Sequence, residues 1–126
     1  MLESELFDQL TQWAGLAALV GSALYPLRAP PNTPAPYVVY SRTDTQADDT
    51  LDSKGLPVAE FSFDCYGATY AEAKTIAAQI RAAVKSWSDD PPQAVMSAAV
   101  TDDFDGFDET AGLPVVSVDV EVLHRA

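Results

Sequence analysis

The chain has one cysteine, one histidine and only seven lysines and arginines in 126 residues. A lone Cys65 excludes an intramolecular disulfide, and without a second ligand at metal-binding spacing it forms no zinc site. Its place in an alternating segment predicts a small thiol packed in the core. The lone His124 lies beside Arg125 at the end of the chain, where a general base oriented by a buried carboxylate is hard to assemble. A solvated side chain or a contact with a neighbouring subunit is the simpler reading. Against the seven basic residues stand 19 acidic ones, a net charge of −12. Phosphate contacts need Lys and Arg to displace counterions, so binding to DNA or an anionic membrane is disfavoured. No Gly-rich phosphate loop and no Gly-x-Ser-x-Gly elbow is present. No apolar run is long enough to span a bilayer. The start Met1-Leu2-Glu3-Ser4-Glu5 lacks a basic segment and a continuous apolar one. No secretory signal is expected, and the chain reads as a soluble protein made in a cytoplasm. Nothing here predicts an enzyme, a cofactor or a metal.

What is present describes a globular domain. With 48% hydrophobic, 21% charged and 10% aromatic residues, a chain of this length makes one domain with one core. Leu2, Leu6, Leu10, Trp13 and Ala17 recur at helical spacing among acidic and amide residues, which is an amphipathic helix. Gly15 predicts a break before a short second turn through Val20, and Gly21-Ser22 ends the helical region. Residues 29–36 hold four prolines in eight positions and predict an exposed connector, after which Pro36 begins a strand through Arg42. Residues 43–56 carry Asp44, Asp48, Asp49 and Asp52 and little that is apolar. Such a stretch cannot bury enough surface to offset its ordering entropy, so a mobile acidic loop is expected.

The second half is more sharply patterned. Ala59, Phe61, Phe63 and Cys65 alternate with Glu60, Ser62, Asp64 and Tyr66, a strand with one buried face. Thr69 precedes Glu72 by three, a capping box. Ala73, Ile76, Ala77, Ile80, Ala83, Val84 and Trp87 continue at helical spacing until Asp89-Asp90-Pro91-Pro92 stops the helix. Ala94, Met96, Ala98 and Val100 are assigned to one face of the next strand, and Val116, Val118, Val120 and Val122 to one face of the last. Full burial of Val118 is worth roughly 1.5 to 3 kcal/mol. These elements make an α+β domain covering residues 1–126, with an antiparallel or mixed sheet of four or five strands and two main helices on one face.

Between the last two strands, Asp102, Asp103, Asp105, Asp108 and Glu109 read as an acidic loop. Oxygen-rich loops bind calcium. Aligning Gly106 with the glycine of an EF-hand loop, however, puts Thr101 at the first ligand position and Gly112 at the last, where a carboxylate is required. The motif fails, leaving a solvated acidic segment.

Several segments in order carry a resemblance: Leu16 to Gly21 (Leu-Ala-Ala-Leu-Val-Gly), the Tyr25-Pro26-Leu27 turn, the Pro36-to-Tyr40 strand, Thr69-Tyr70-Ala71-Glu72-Ala73 and the closing valine strand ending Val122-Leu123-His124-Arg125. Together they span nearly the whole chain, and they resemble the tail-completion, or tail-terminator, proteins of long-tailed bacteriophages and gene-transfer particles. The resemblance implies a structural virion protein at the head-proximal end of the tail, assembled in a bacterial cytoplasm. Its implied role is to cap the finished tail tube, end its polymerisation and provide the joining surface for the DNA-filled head. The implied partners are further copies in a hexameric ring, the tail tube protein and head-tail connector or neck proteins, with DNA only as passing cargo and no membrane. A head-side connector, a cellular adaptor or a ligand-binding α+β domain are the alternatives.

In such a ring, Asp44, Asp48, Asp49, Asp52, Asp102, Asp103 and Asp105 are candidates to line the central opening or meet a partner. Val115, Ser117, Asp119 and Glu121 on the solvent-side face of the last strand, with Leu123 and His124 at its end, are candidates for the subunit interface.

Overall fold

The computed structural model describes residues 2–21, 23–45, 58–92 and 95–124. The stripe of leucines forms α1 (Leu2–Thr11) and α2 (Ala14–Val20). Leu6, Leu10, Leu16 and Val20 are buried, and Phe7 and Trp13 pack against the same core. The break between the helices falls at Gln12 and Trp13, ahead of Gly15, which lies inside α2. Trp13 Nε1 donates to Gln79 Oε1 at 3.0 Å, and a Cβ on residue 15 would stand 2.1 Å from that same oxygen. A side chain at residue 15 would have to displace the Gln79 amide and its bond to Trp13, and Gly15 itself does not interrupt the helix.

Tyr25 and Pro26, read as a turn, belong instead to a short strand, β1 (Leu24–Pro26), and the turn begins at Leu27 with a φ of 69°. After the proline connector come β2 (Tyr37–Thr45) and β3 (Val58–Tyr66). The acidic stretch assigned to residues 43–56 therefore begins within a strand, and its remainder, with Asp48, Asp49 and Asp52, lies outside the described residues.

Helix α3 (Tyr70–Asp89) starts at the expected cap. Thr69 Oγ1 accepts from the Glu72 amide at 3.1 Å, while Glu72 Oε1 reaches one residue past Thr69 to accept from the Ala68 amide at 2.7 Å. All seven residues of its predicted stripe are buried.

The largest departure from expectation is β4 (Val95–Asp108), which runs straight through the predicted acidic loop and turns into β5 (Leu113–His124). Bulges lie between Val95 and Ser97 and between Val100 and Asp102. The first puts Val95 in the core and leaves Met96 exposed, reversing the face assigned to Met96; Ala98 is buried as expected. The hairpin turns over Glu109–Gly112. Asp108 accepts the Gly112 amide on its carbonyl at 2.7 Å and the Ala111 amide on Oδ1 at 3.0 Å. Gly112 supplies the φ of 71° that this turn requires.

The sheet order is β1-β2-β3-β5-β4, parallel between β1 and β2 and antiparallel elsewhere. The result is a mixed five-stranded α+β domain. One face carries Val38, Phe61, Phe63, Cys65, Val116, Val118, Val120 and Val122 into a single core with the three helices. Cys65 is fully buried, and burial pushes its thiol pKa far up. None of the described helices is long and apolar enough to cross a membrane.

Candidate functional site

The helix-free face of the sheet is built from the alternate residues of the same strands. Tyr37 and Tyr66 stack at 4.6 Å, and Tyr25 meets Tyr37 edge-on at 6.2 Å. Asp64 Oδ1 accepts from Ser117 Oγ at 2.7 Å and from Ser62 Oγ at 3.3 Å. Tyr66 donates its hydroxyl to Asp108 Oδ2 at 2.8 Å, tying the end of the β4–β5 hairpin to β3. Burial, and then the Asp108 carboxylate, push the Tyr66 phenol pKa up. The Ala111 amide, followed by the Tyr66 hydroxyl, holds the Asp108 carboxyl below its ordinary value. The proline connector folds over this face and encloses a cleft of about 380 Å³ with Tyr37, Val39, Asp64, Tyr66 and Asp108 among its walls.

The structure divides the predicted acidic site. Asp102 pairs in register with Asp119, which points it to the helix-free side, whereas Asp103 and Asp105 stand opposite Val118 and Val116 on the helix side. There Arg81 of α3 binds Asp103, and Lys74 Nζ lies 2.9 Å from Asp105. Tyr70 donates to Asp105 at 2.5 Å, with Lys74 5.5 Å over its ring. The Tyr70 hydroxyl, then Lys74, lowers the Asp105 pKa, and the same Asp105 contact raises that of Lys74. Asp103 and Asp105 are thus first of all the ties that fasten β4 to α3. Asp44 lies on β2 in register with Glu60.

The predicted interface residues do share one strand, but β5 is hydrogen-bonded to β3 on one side and β4 on the other. Pairing of β5 with another subunit by backbone hydrogen bonds is therefore ruled out, and only its side-chain face is available. On that face Ser117 is buried, Val115 and Asp119 are half-buried and Glu121 is exposed. Leu123 and His124 are half-buried at the end of the strand, so His124 is not a freely solvated terminal side chain. Glu3 lies near it on α1 and binds Arg42 at 3.1 Å. The Glu3 carboxyl is held below its ordinary pKa by a backbone hydrogen bond at the helix start and by Arg42.

Two features were missed in the sequence. Phe104 and Phe107 were absorbed into an acidic loop, yet both are exposed on β4, on opposite faces of it. The signal was the continuation of strand-like spacing through Asp103-Phe104-Asp105, then a Gly112-terminated turn before the valine strand. Leu27 is read from the sequence only as the end of the Tyr25-Pro26-Leu27 turn, and Arg28, just ahead of the connector, carries no sequence signal that singles it out. Among the described residues no group of three or more His, Cys, Asp or Glu is arranged to hold a metal ion.

A family model described as "Tail completion protein gp17" matches residues 4–125. None of the curated proteins compared with the chain matches it. Among solved structures, a chain from the "Virion of native gene transfer agent (GTA) particle" superposes with a TM-score of 0.75 at 21% identity, covering 99% of this chain and 95% of that one. At that identity the likeness establishes a common fold.

Proposed function

The chain belongs to the tail completion protein gp17 family, whose members are structural tail proteins, and from that premise we propose that it caps the completed tail tube, ends its polymerisation and forms the joining surface for the DNA-filled head. The match over 122 consecutive residues, 4–125, supports the reading, because it takes in every described strand and helices α2 and α3 in full. The position proposed is the head-proximal end of the tail. The partners are further copies in a hexameric ring, the tail tube protein and the head-side connector or neck proteins. A ring of identical subunits needs two different patches on each copy. The side-chain face of β5, with Val115, Asp119 and Glu121, is proposed as a packing surface in that assembly. Acidic residues including Asp44, Asp48, Asp49 and Asp52 are proposed to face the passing DNA, which a negative wall would repel.

The test is deletion of the gene from the particle-forming element that encodes it, followed by negative-stain electron microscopy of the lysate. Filled heads beside unjoined tails, some of abnormal length, are expected. Intact particles with tails of normal length would overturn the reading.

A further inference from the structure

Five large apolar side chains are exposed among the described residues: Leu27, Tyr70, Met96, Phe104 and Phe107. Tyr70 is accounted for by its bond to Asp105. The other four stand at the two edges of the sheet, three on β4 and Leu27 immediately after β1. Scattered exposed apolar residues need no explanation. Here, however, they gather at opposite edges, with Phe104 53%, Phe107 60% and Leu27 78% exposed. Charge on an edge strand is a common guard against unwanted pairing. That accounts for the β4 aspartates but leaves the phenylalanines unexplained.

The two edges also differ in charge. Asp102 on β4 makes no ion pair with any described residue, while Asp103 and Asp105 are engaged by α3. At the opposite edge Arg28 is exposed next to Leu27. Arg42, Lys74, Arg81 and Lys85 each bind a carboxylate, and Arg28 is the cation left without one among the described residues. Beside Leu27 opens a cleft of about 660 Å³ walled by Phe7, Leu24, Pro26 and Tyr40. It lies on the helix side of the sheet, the side to which Phe107 projects from β4; Phe104 projects to the other side, where the connector with Arg28 lies.

We propose that the β4 edge of one copy docks on the Leu27–Arg28 corner of a second copy, with Phe107 seated in the cleft beside Leu27 and Asp102 facing Arg28. The contact joins unlike patches, so it repeats head to tail and closes into a ring or propagates. A buried aromatic anchor with a charged pair at its rim is the composition of an energetically dominant interface centre. The inference rests on the ring reading above and adds to the β5 face two unlike patches that join neighbouring copies.

Cysteine pairing tests it in the full chain, where native Cys65 is fully buried and does not compete. A Leu27→Cys, Phe107→Cys double variant replaces the native gene, and assembled tails are oxidised and run on a non-reducing gel. A ladder of multimers is expected from the double variant and from neither single variant. Arg28→Glu in the same background should reduce the ladder several-fold, and adding Asp102→Arg should restore it. If the double variant gives joined particles of normal tail length but only monomer on the gel, the edge contact is wrong and the terminator reading stands. If deletion of the gene leaves particles normal, the terminator reading has failed. Oxidation of the purified double variant at rising concentration then decides the contact alone, with a ladder supporting it and monomer overturning it.

Discussion

Thr69 shows how much of a single residue's role its sequence spacing conveys. A threonine three positions before a glutamate predicts a capping box, and Thr69 Oγ1 does accept the Glu72 amide. Because its Oγ1 satisfies one of the four amides left free at a helix start, Thr69→Ala should cost about 1 kcal/mol. Urea denaturation should show this as a lower midpoint with an unchanged slope; an unchanged midpoint would mean that water replaces the cap at no cost. Glu72 was less legible, because the sequence does not say that its carboxylate would pass Thr69 to bind the Ala68 amide. Cys65 was legible for a different reason: alternation alone fixes which face a strand residue takes, and one face of β3 is core. Met96 defeats the same rule, since one extra residue at the bulge before Ser97 exchanges the faces.

At the scale of elements, helix α3 and strand β3 were readable because one long apolar period in each is bounded by clear stop signals. Strand β4 was not, because five carboxylates among Asp102 to Glu109 mimic a loop. Asp103, Asp105 and Asp108 are held in the strand by partners distant in sequence: Arg81, Lys74 and Tyr70 on α3, and Tyr66 on β3. The Tyr66–Asp108 bond at the hairpin end has a testable pH dependence. Asp108 has a folded pKa below its unfolded one, so its contribution is present above the unfolded value and is lost as pH falls through the lower, folded value. Tyr66 is raised, so its contribution is present below the ordinary phenol range and is lost as pH climbs through the raised value. Tyr66→Phe removes the bond at every pH. The stability difference between wild type and Tyr66→Phe, read from urea midpoints, should be largest near neutrality and should shrink toward both extremes. A difference that does not vary with pH would show that the hydroxyl acts through packing and not through the carboxylate.

For the molecule as a whole, one α+β domain followed from pattern and size, but the parallel β1–β2 pairing did not, because a three-residue strand containing Pro26 has no period to read. The excess of negative charge was plain from composition, and the structure changes what it can do. In the proposed hexamer the subunits carry six times −12, or −72, before counterions. At physiological salt a charge is felt over about 8 Å, so only carboxylates at the wall of the opening would act on passing DNA. Asp103 and Asp105 are neutralised in part by α3 and hold β4 in place, which makes them poor carriers of such a field and poor choices for testing it. The informative variant replaces Asp44, Asp48, Asp49 and Asp52 by asparagine and leaves Asp102, the proposed partner of Arg28, and Asp103 and Asp105 intact. Tail length and head joining should stay normal while DNA ejection slows. Raising the salt should narrow the gap from wild type, because screening removes the repulsion that the wild-type wall supplies. Ejection at the wild-type rate in low salt would show that these acids do not face the DNA and serve only to keep the outer surface soluble.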